Sequence, residues 1–230
     1  MMIDIPLIKN HDNKTISNKF FGMPSSKYFG LLQNKYGDVI IRIHILNKLI
    51  SEIFLEHNLY TSAVALEDYS FEQVNQNFYS KFRYKTETLI YWFRKTSDEL
   101  IGLQYFMFYI VENNAEPDVI KIESIGNLLN SDSYLKVVHD KSLIFLKLLN
   151  DVSNSYKHSF IDYEAAFLFG RYEPTLNSAR RKWNKSENHA ELFENNLRDI
   201  VTGFTQFYND SMIFIDKQND VFFKQATDKK

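Results

Sequence analysis

The sequence predicts a mainly α fold: a helical bundle of about five to six helices with a small β-hairpin near residues 165–194. Three observations lead there. Glycine and proline, the residues that most often break helices, number 7 and 4 in 230 residues. Apolar side chains recur every three or four positions over several long stretches, the period of a helix with one buried face. After residue 165 that pattern gives way to short alternating runs around a polar turn.

Residues 1–37 read as an irregular arm, interrupted by Pro6, Asn10, Asn13, Gly22, Pro24 and Gly30, with a short helix over Ser26–Asn34. Asp38 is placed to cap a helix from Val39 to about Glu56, whose apolar positions include Ile43, Leu46, Ile50, Ile53 and Phe54. Its β-branched isoleucines leave a strand at its first residues open. A second short helix is expected over Tyr60–Leu66. Ser70 and Gln73 form a capping box for a helix running to about Val111, with a break near Ser80 left open. Phe78, Phe82, Leu89, Phe93, Leu100, Leu103 and Met107 fall on its apolar side. The most apolar part, Leu100–Val111, is expected at the centre of the core, and Asn113, Asn114 and Pro117 end the helix.

Residues 118–131 match no single period. Ser131 or Asp132 can cap a helix over Ser133–Ile161, with Phe145, Leu146, Leu149, Val152, Tyr156 and Phe160 on one side. The hairpin is expected to pair 175–183 with 189–194 across the polar run Asn184–Asn188. A last helix, about Asn196–Met212, carries Leu197, Ile200, Val201, Phe204 and Phe207, and Gln225–Lys230 reads as a frayed end. The organisation is thus an arm over 1–37 and a single helical domain over 38–230, whose hairpin and last helix occupy 166–215.

Composition narrows the chemistry. A chain of this length, 44% hydrophobic, buries enough surface to fold without staples. It has no cysteine, which excludes disulfides, thiolate metal sites and cysteine nucleophiles. The N-terminus shows no secretory pattern and Leu100–Val111 is too short to span a bilayer, so a cytoplasmic protein without membrane association is expected. The net charge of −2 lacks the basic excess usual in a dedicated nucleic-acid binder. No phosphate loop, HExxH, EF-hand or GxSxG elbow is present. The histidines, His11, His44, His57, His139, His158 and His189, stand at no metal-binding spacing, so neither metal nor cofactor is expected.

Four features remain, each with two readings. Asn150, Asn154 and Lys157 line one edge of the fifth helix, with His158 further round beside Asp151. This is a cleft in which Lys157 and His158 meet a phosphate-bearing partner, or a polar border whose asparagines satisfy buried backbone groups. Arg171, Arg180, Arg181, Lys182 and Lys185 surround Trp183, either as an RNA contact with a stacking ring or as the solvated face of a hairpin. Tyr91, Trp92, Phe93, Tyr105, Phe106, Phe108 and Tyr109 mark a core or a subunit interface rather than a cofactor pocket. Arg94 and Asp98, four apart, have the spacing of a surface ion pair.

The helix WFRKTSDELIGL (92–103), followed by LKLLNDVSNSYKHSF (146–160), resembles the HEPN superfamily of helical-bundle proteins, many from bacterial defence and toxin–antitoxin systems. The resemblance covers about residues 70–165. Its nearest part, Asn154 to His158, is similar to the end of that family's Arg-x(4–6)-His signature. Active members are metal-independent ribonucleases in which Arg and His act together at a dimer interface. Here the permitted Arg positions hold Asp151, Val152 and Ser153. The resemblance therefore implies the fold and a homodimer more than the activity, and carries over His158 with Asn154 as its companion. Lys157 would have to replace the guanidinium, whose planar fork it lacks. The sequence thus leaves two functions: a non-catalytic protein-interaction or scaffold domain, with a homodimer or another protein as partner, or an RNA-binding protein or ribonuclease using His158 and Lys157. A third, small-molecule binding in a bundle pocket, has no motif behind it.

Overall fold

A computed structural model describes residues 4–9, 23–27, 30–65, 80–158, 173–184 and 187–227, with the backbone alone at 31, 63–65, 80, 157–158, 177–184 and 187–193. Among the described residues the fold is mainly helical, with six α-helices. In order they are β1 (Ser25–Ser26), β2 (Gly30–Leu31), α1 (Leu32–Ala65), α2 (Ser80–Asn113), α3 (Ile125–Leu129), α4 (Tyr134–Val138), a 3-10 turn (Asp140–Ser142), α5 (Leu143–His158), β3 (Thr175–Asn184), β4 (Glu187–Asn196) and α6 (Leu197–Thr227). β1 pairs antiparallel with β2, and β3 with β4. Gly30 sits at φ 70°, a left-handed conformation open to a residue without a Cβ.

α1 corrects the expected start at Val39. It begins at Leu32 and runs unbroken to Ala65, with no strand at 39 and no gap before Tyr60. Positions 32, 36, 39, 43, 46, 50, 53, 57 and 60 are all buried. Their spacing alternates between three and four, so one apolar seam holds the helix together past Gly37 and Asp38. Tyr36 and His57 occupy two of these places and disguise the seam in the sequence.

α2 ends where its asparagines suggested. Asn114 adopts φ 51° and its N–H donates to Ile110 O at 2.8 Å, a left-handed cap. The core role of Leu100–Val111 holds: Leu100, Ile101, Leu103, Phe106, Met107, Ile110 and Val111 are buried. The expected helix start at Ser70 lies outside the described residues.

The stretch without a clear period contains α3, capped by Ser124, whose Oγ accepts from Asn127 N at 3.2 Å. The single helix expected over Ser133–Ile161 is interrupted; α4 and α5 are separated at His139 and the 3-10 turn, where Ser142 N donates to His139 O at 2.8 Å. The interruption turns the His139 ring inward, 1% exposed, with Nε2 2.6 Å from Gln104 Oε1. Residues 159–161 lie outside the described residues.

The hairpin forms as expected and is longer, in a register running from Thr175↔Asn196 to Asn184↔Glu187. Pro174 O accepts from Leu197 N at 2.9 Å and Asn196 Oδ1 from Arg198 N at 2.8 Å, so the hairpin leads directly into a capped α6. α6 continues past Met212 because Phe214, Ile215 and Asn219 remain buried. It also takes in Gln225–Thr227, read from sequence as frayed, and Gln225 Nε2 donates to Val111 O at 3.4 Å.

By its contacts the chain divides into two compact units, and the division cuts all four long helices. Unit 1 comprises 1–8, 45–94 and 148–203. Its core gathers Ile50, Ile53 and Phe54 of α1, Phe82, Leu89 and Phe93 of α2, Leu149 and Val152 of α5, and Leu197 and Ile200 of α6. Unit 2 comprises 9–44, 95–147 and 204–230, and its core includes Leu32, Val39, Leu100, Phe106, Phe204 and Phe207.

Candidate functional site

The polar edge of α5 lies in unit 1. Asn150, Asp151 and Asn154 are half-buried there, and Asn150 has a partner that spacing did not show: Arg94 of α2 donates from Nη1 to Asn150 Oδ1 at 2.5 Å. The asparagine therefore holds a guanidinium rather than a backbone group. In the sequence Arg94 has the spacing to pair with Asp98. In the structure it reaches 56 residues along the chain, while Asp98 Oδ1, in unit 2, accepts from Ile125 N at 2.7 Å.

Positions 83, 87, 90 and 94 share one side of α2. Arg83 Nε donates to Glu87 Oε1 at 2.9 Å. Tyr156 of α5 feels both charges. Burial raises its phenol well above the ordinary range, Glu87 raises it further and Arg83 opposes. Its hydroxyl is buried and has no hydrogen-bond partner among the described residues. Chemically, this edge offers a guanidinium fixed by an amide, a geometry suited to a phosphate or carboxylate oxygen. Lys157 and His158 occupy the last turn of α5, where the backbone alone is described.

The basic cluster is divided. Arg171 and Lys185 lie outside the described residues. Arg180, Arg181, Lys182 and Trp183 lie in β3, opposite Glu191, Ala190, His189 and Asn188. Alternation along a strand places positions 180 and 182 on one face and 181 and 183 on the other, so Arg180 and Lys182 share a face and Arg181 is placed with Trp183 on the opposite one.

A second feature escaped the sequence reading. The side of α1 opposite its buried seam is also apolar: within unit 1, Ile45, Leu55 and Leu59 are 60%, 53% and 62% exposed. At the helical period these fall within about 40° of one line, with Lys48 and Glu52 between them. Two apolar faces on one helix cancel in any amphipathicity reading, which hides the outer one. Of the aromatic residues expected in a core or interface, Phe93 and Phe106 are buried, while Tyr91 is exposed and packs edge-on against Trp92 at 5.3 Å.

Unit 2 contains a cavity of about 400 Å³ between α1, α2 and the segment before α3, floored by Leu32, Val39, Leu103 and Phe106. At its side Arg42 donates to Glu99 Oε2 at 2.5 Å and Thr96 Oγ1 at 3.3 Å. Among the described residues no cluster of three or more potential ligands could hold a metal ion, and no helix is long and apolar enough to cross a membrane. No protein-family model matches the chain, and no curated protein or solved structure is significantly similar to it.

Proposed function

We propose that this protein is a non-catalytic helical interaction domain on a HEPN-like scaffold, and that it pairs with a second copy of itself. The observation that carries the reading is the outer face of α1. Singly exposed leucines are ordinary on a protein surface, but three large aliphatic side chains along one line of one helix form a patch that water solvates poorly. The absence of an arginine from the permitted positions before His158 argues in the same direction. Size-exclusion chromatography with light scattering at tens of micromolar tests it. Twice the chain mass is expected for the wild type, and the chain mass for a Leu55→Glu/Leu59→Glu variant with unchanged helical circular dichroism. A strictly monomeric wild type sinks the proposal.

One observation favours the RNA reading. Arg94, fixed by Asn150, supplies a guanidinium to the helix edge that ends in Lys157 and His158. In this reading Arg94 and Lys157 hold phosphate oxygens and His158 moves the proton. Arg94→Ala and His158→Ala should each weaken RNA binding or cleavage, and activity unchanged in both removes the reading.

A further inference from the structure

The outer face of α1 is complementary to itself when reversed. Resting on the self-pairing proposed above, we infer that two copies associate through α1 as an antiparallel, two-fold helix pair centred on residue 50. Positions 45, 48, 52 and 55 are spaced by three, four and three, the spacing of a helix that packs lengthwise against another. They hold Ile45, Lys48, Glu52 and Leu55, in the order apolar, positive, negative, apolar. The numbers are symmetric about 50, and in the sequence the same centre relates Ile41 to Leu59.

An antiparallel partner puts Ile45 in one layer with the partner's Leu55, and Lys48 in one layer with the partner's Glu52. The two-fold axis repeats each layer, giving apolar contacts outside and opposite charges inside. A parallel partner would set every residue against its own copy, lysine on lysine and glutamate on glutamate. Charge therefore selects the antiparallel arrangement and penalises a slipped register. Glu52 already receives Lys85 Nζ on Oε2 at 3.0 Å, and a carboxylate has acceptor sites for a second cation. The opposite side of the same stretch is buried through Leu46, Ile50, Ile53 and His57, so the helix is ordered before it pairs and association costs little further ordering.

The test exploits a chain without cysteine. Ile45→Cys and Leu55→Cys are made separately, then treated with a short bifunctional thiol reagent, alone and mixed. The mixture should give cross-linked dimer in several-fold excess over either variant alone. In the antiparallel pair a cysteine at 45 lies ten residues, roughly 15 Å, along the axis from its own copy. Lys48→Glu and Glu52→Lys should each weaken association at least roughly tenfold, and an equal mixture of the two should restore it, because both charged layers are then opposite again. Cross-linking of Ile45→Cys with itself, or no charge rescue in a protein that light scattering still finds dimeric, overturns this arrangement while self-pairing stands. A monomeric wild type removes both.

Discussion

In unit 1 the ion pairs that join elements stay at the margin. Lys85 Nζ lies 3.0 Å from Glu52 and 2.5 Å from Glu56, Arg198 Nε lies 2.6 Å from Glu173, and all keep part of their surface in water. Unit 2 also has such a pair, Arg42 with Glu99, and its interior holds an uncharged set: His139 on Gln104, with the His139 ring 4.9 Å from that of Phe207, and Thr96, Ser97 and Ser142 buried. The marginal charges exchange water for a partner at modest net gain. The sealed histidine packs well while neutral and is penalised once it takes a proton. Unit 2 should therefore answer to packing and acid, and unit 1 more weakly to loss of single charges.

The largest effect should come from Phe207→Ala, which opens a cavity in unit 2 and strips the His139 ring of its neighbour. A loss of about 3–5 kcal/mol is expected in urea denaturation. A loss below about 1 kcal/mol would mean that Phe207 is not in the core.

Acid comes next. Burial lowers the His139 pKa to about 4, against an opposing pull from Asp210, while the unfolded chain takes the same proton near 6.5. Between these values the unfolded state binds more protons. Stability is therefore full above pH 6.5, falls as the pH drops, and levels off below about 4, with a loss of about 3 kcal/mol from this group. His57 in unit 1 is shifted down as well, chiefly by burial with Glu173 opposing, and adds a loss of the same sign. Thermal melts at pH 7 and pH 4.5 should differ markedly in the wild type and much less in His139→Gln. An equal difference in both proteins would move the acid response elsewhere.

Glu173→Gln should cost about 1–2 kcal/mol, since Glu173 accepts from both Arg198 Nε and Asn196 Nδ2 beside the start of α6. It should also lower the proton affinity of His57 further, measurable by NMR titration; an unmoved His57 would show that the carboxylate does not reach it. Lys85→Ala is expected to be smallest, below about 1 kcal/mol, and to shrink further in high salt. A cost above 2 kcal/mol would mean that the charges of unit 1 are not marginal and would erase the contrast between the units.

The fold class, the hairpin and the end of α2 were legible because each rests on a local signal: helical spacing, alternation about a polar turn, and Asn114 as a left-handed cap. The lengths of α1 and α6 were less so. Tyr36, His57, Ser211 and Asn219 are buried, and a polar name at a seam position hides the period. The break at His139 was missed for the same reason, because the sequence does not show that Gln104, 35 residues earlier, receives the ring. At the candidate site, spacing showed Asn150 and Arg94 each on its own helix but not the hydrogen bond between them, since the two lie 56 residues apart.

By itself the sequence determined the mainly helical class, the presence of the hairpin and which chemistries lack their residues, because periodicity, caps and composition act over a few neighbouring positions. Tertiary structure decided which of the two apolar faces of α1 is buried and which remains outside, that Arg94 reaches α5, and that His139 is sealed inside. Those outcomes depend on burial and hydrogen bonds between residues tens of positions apart, and no local pattern encodes them.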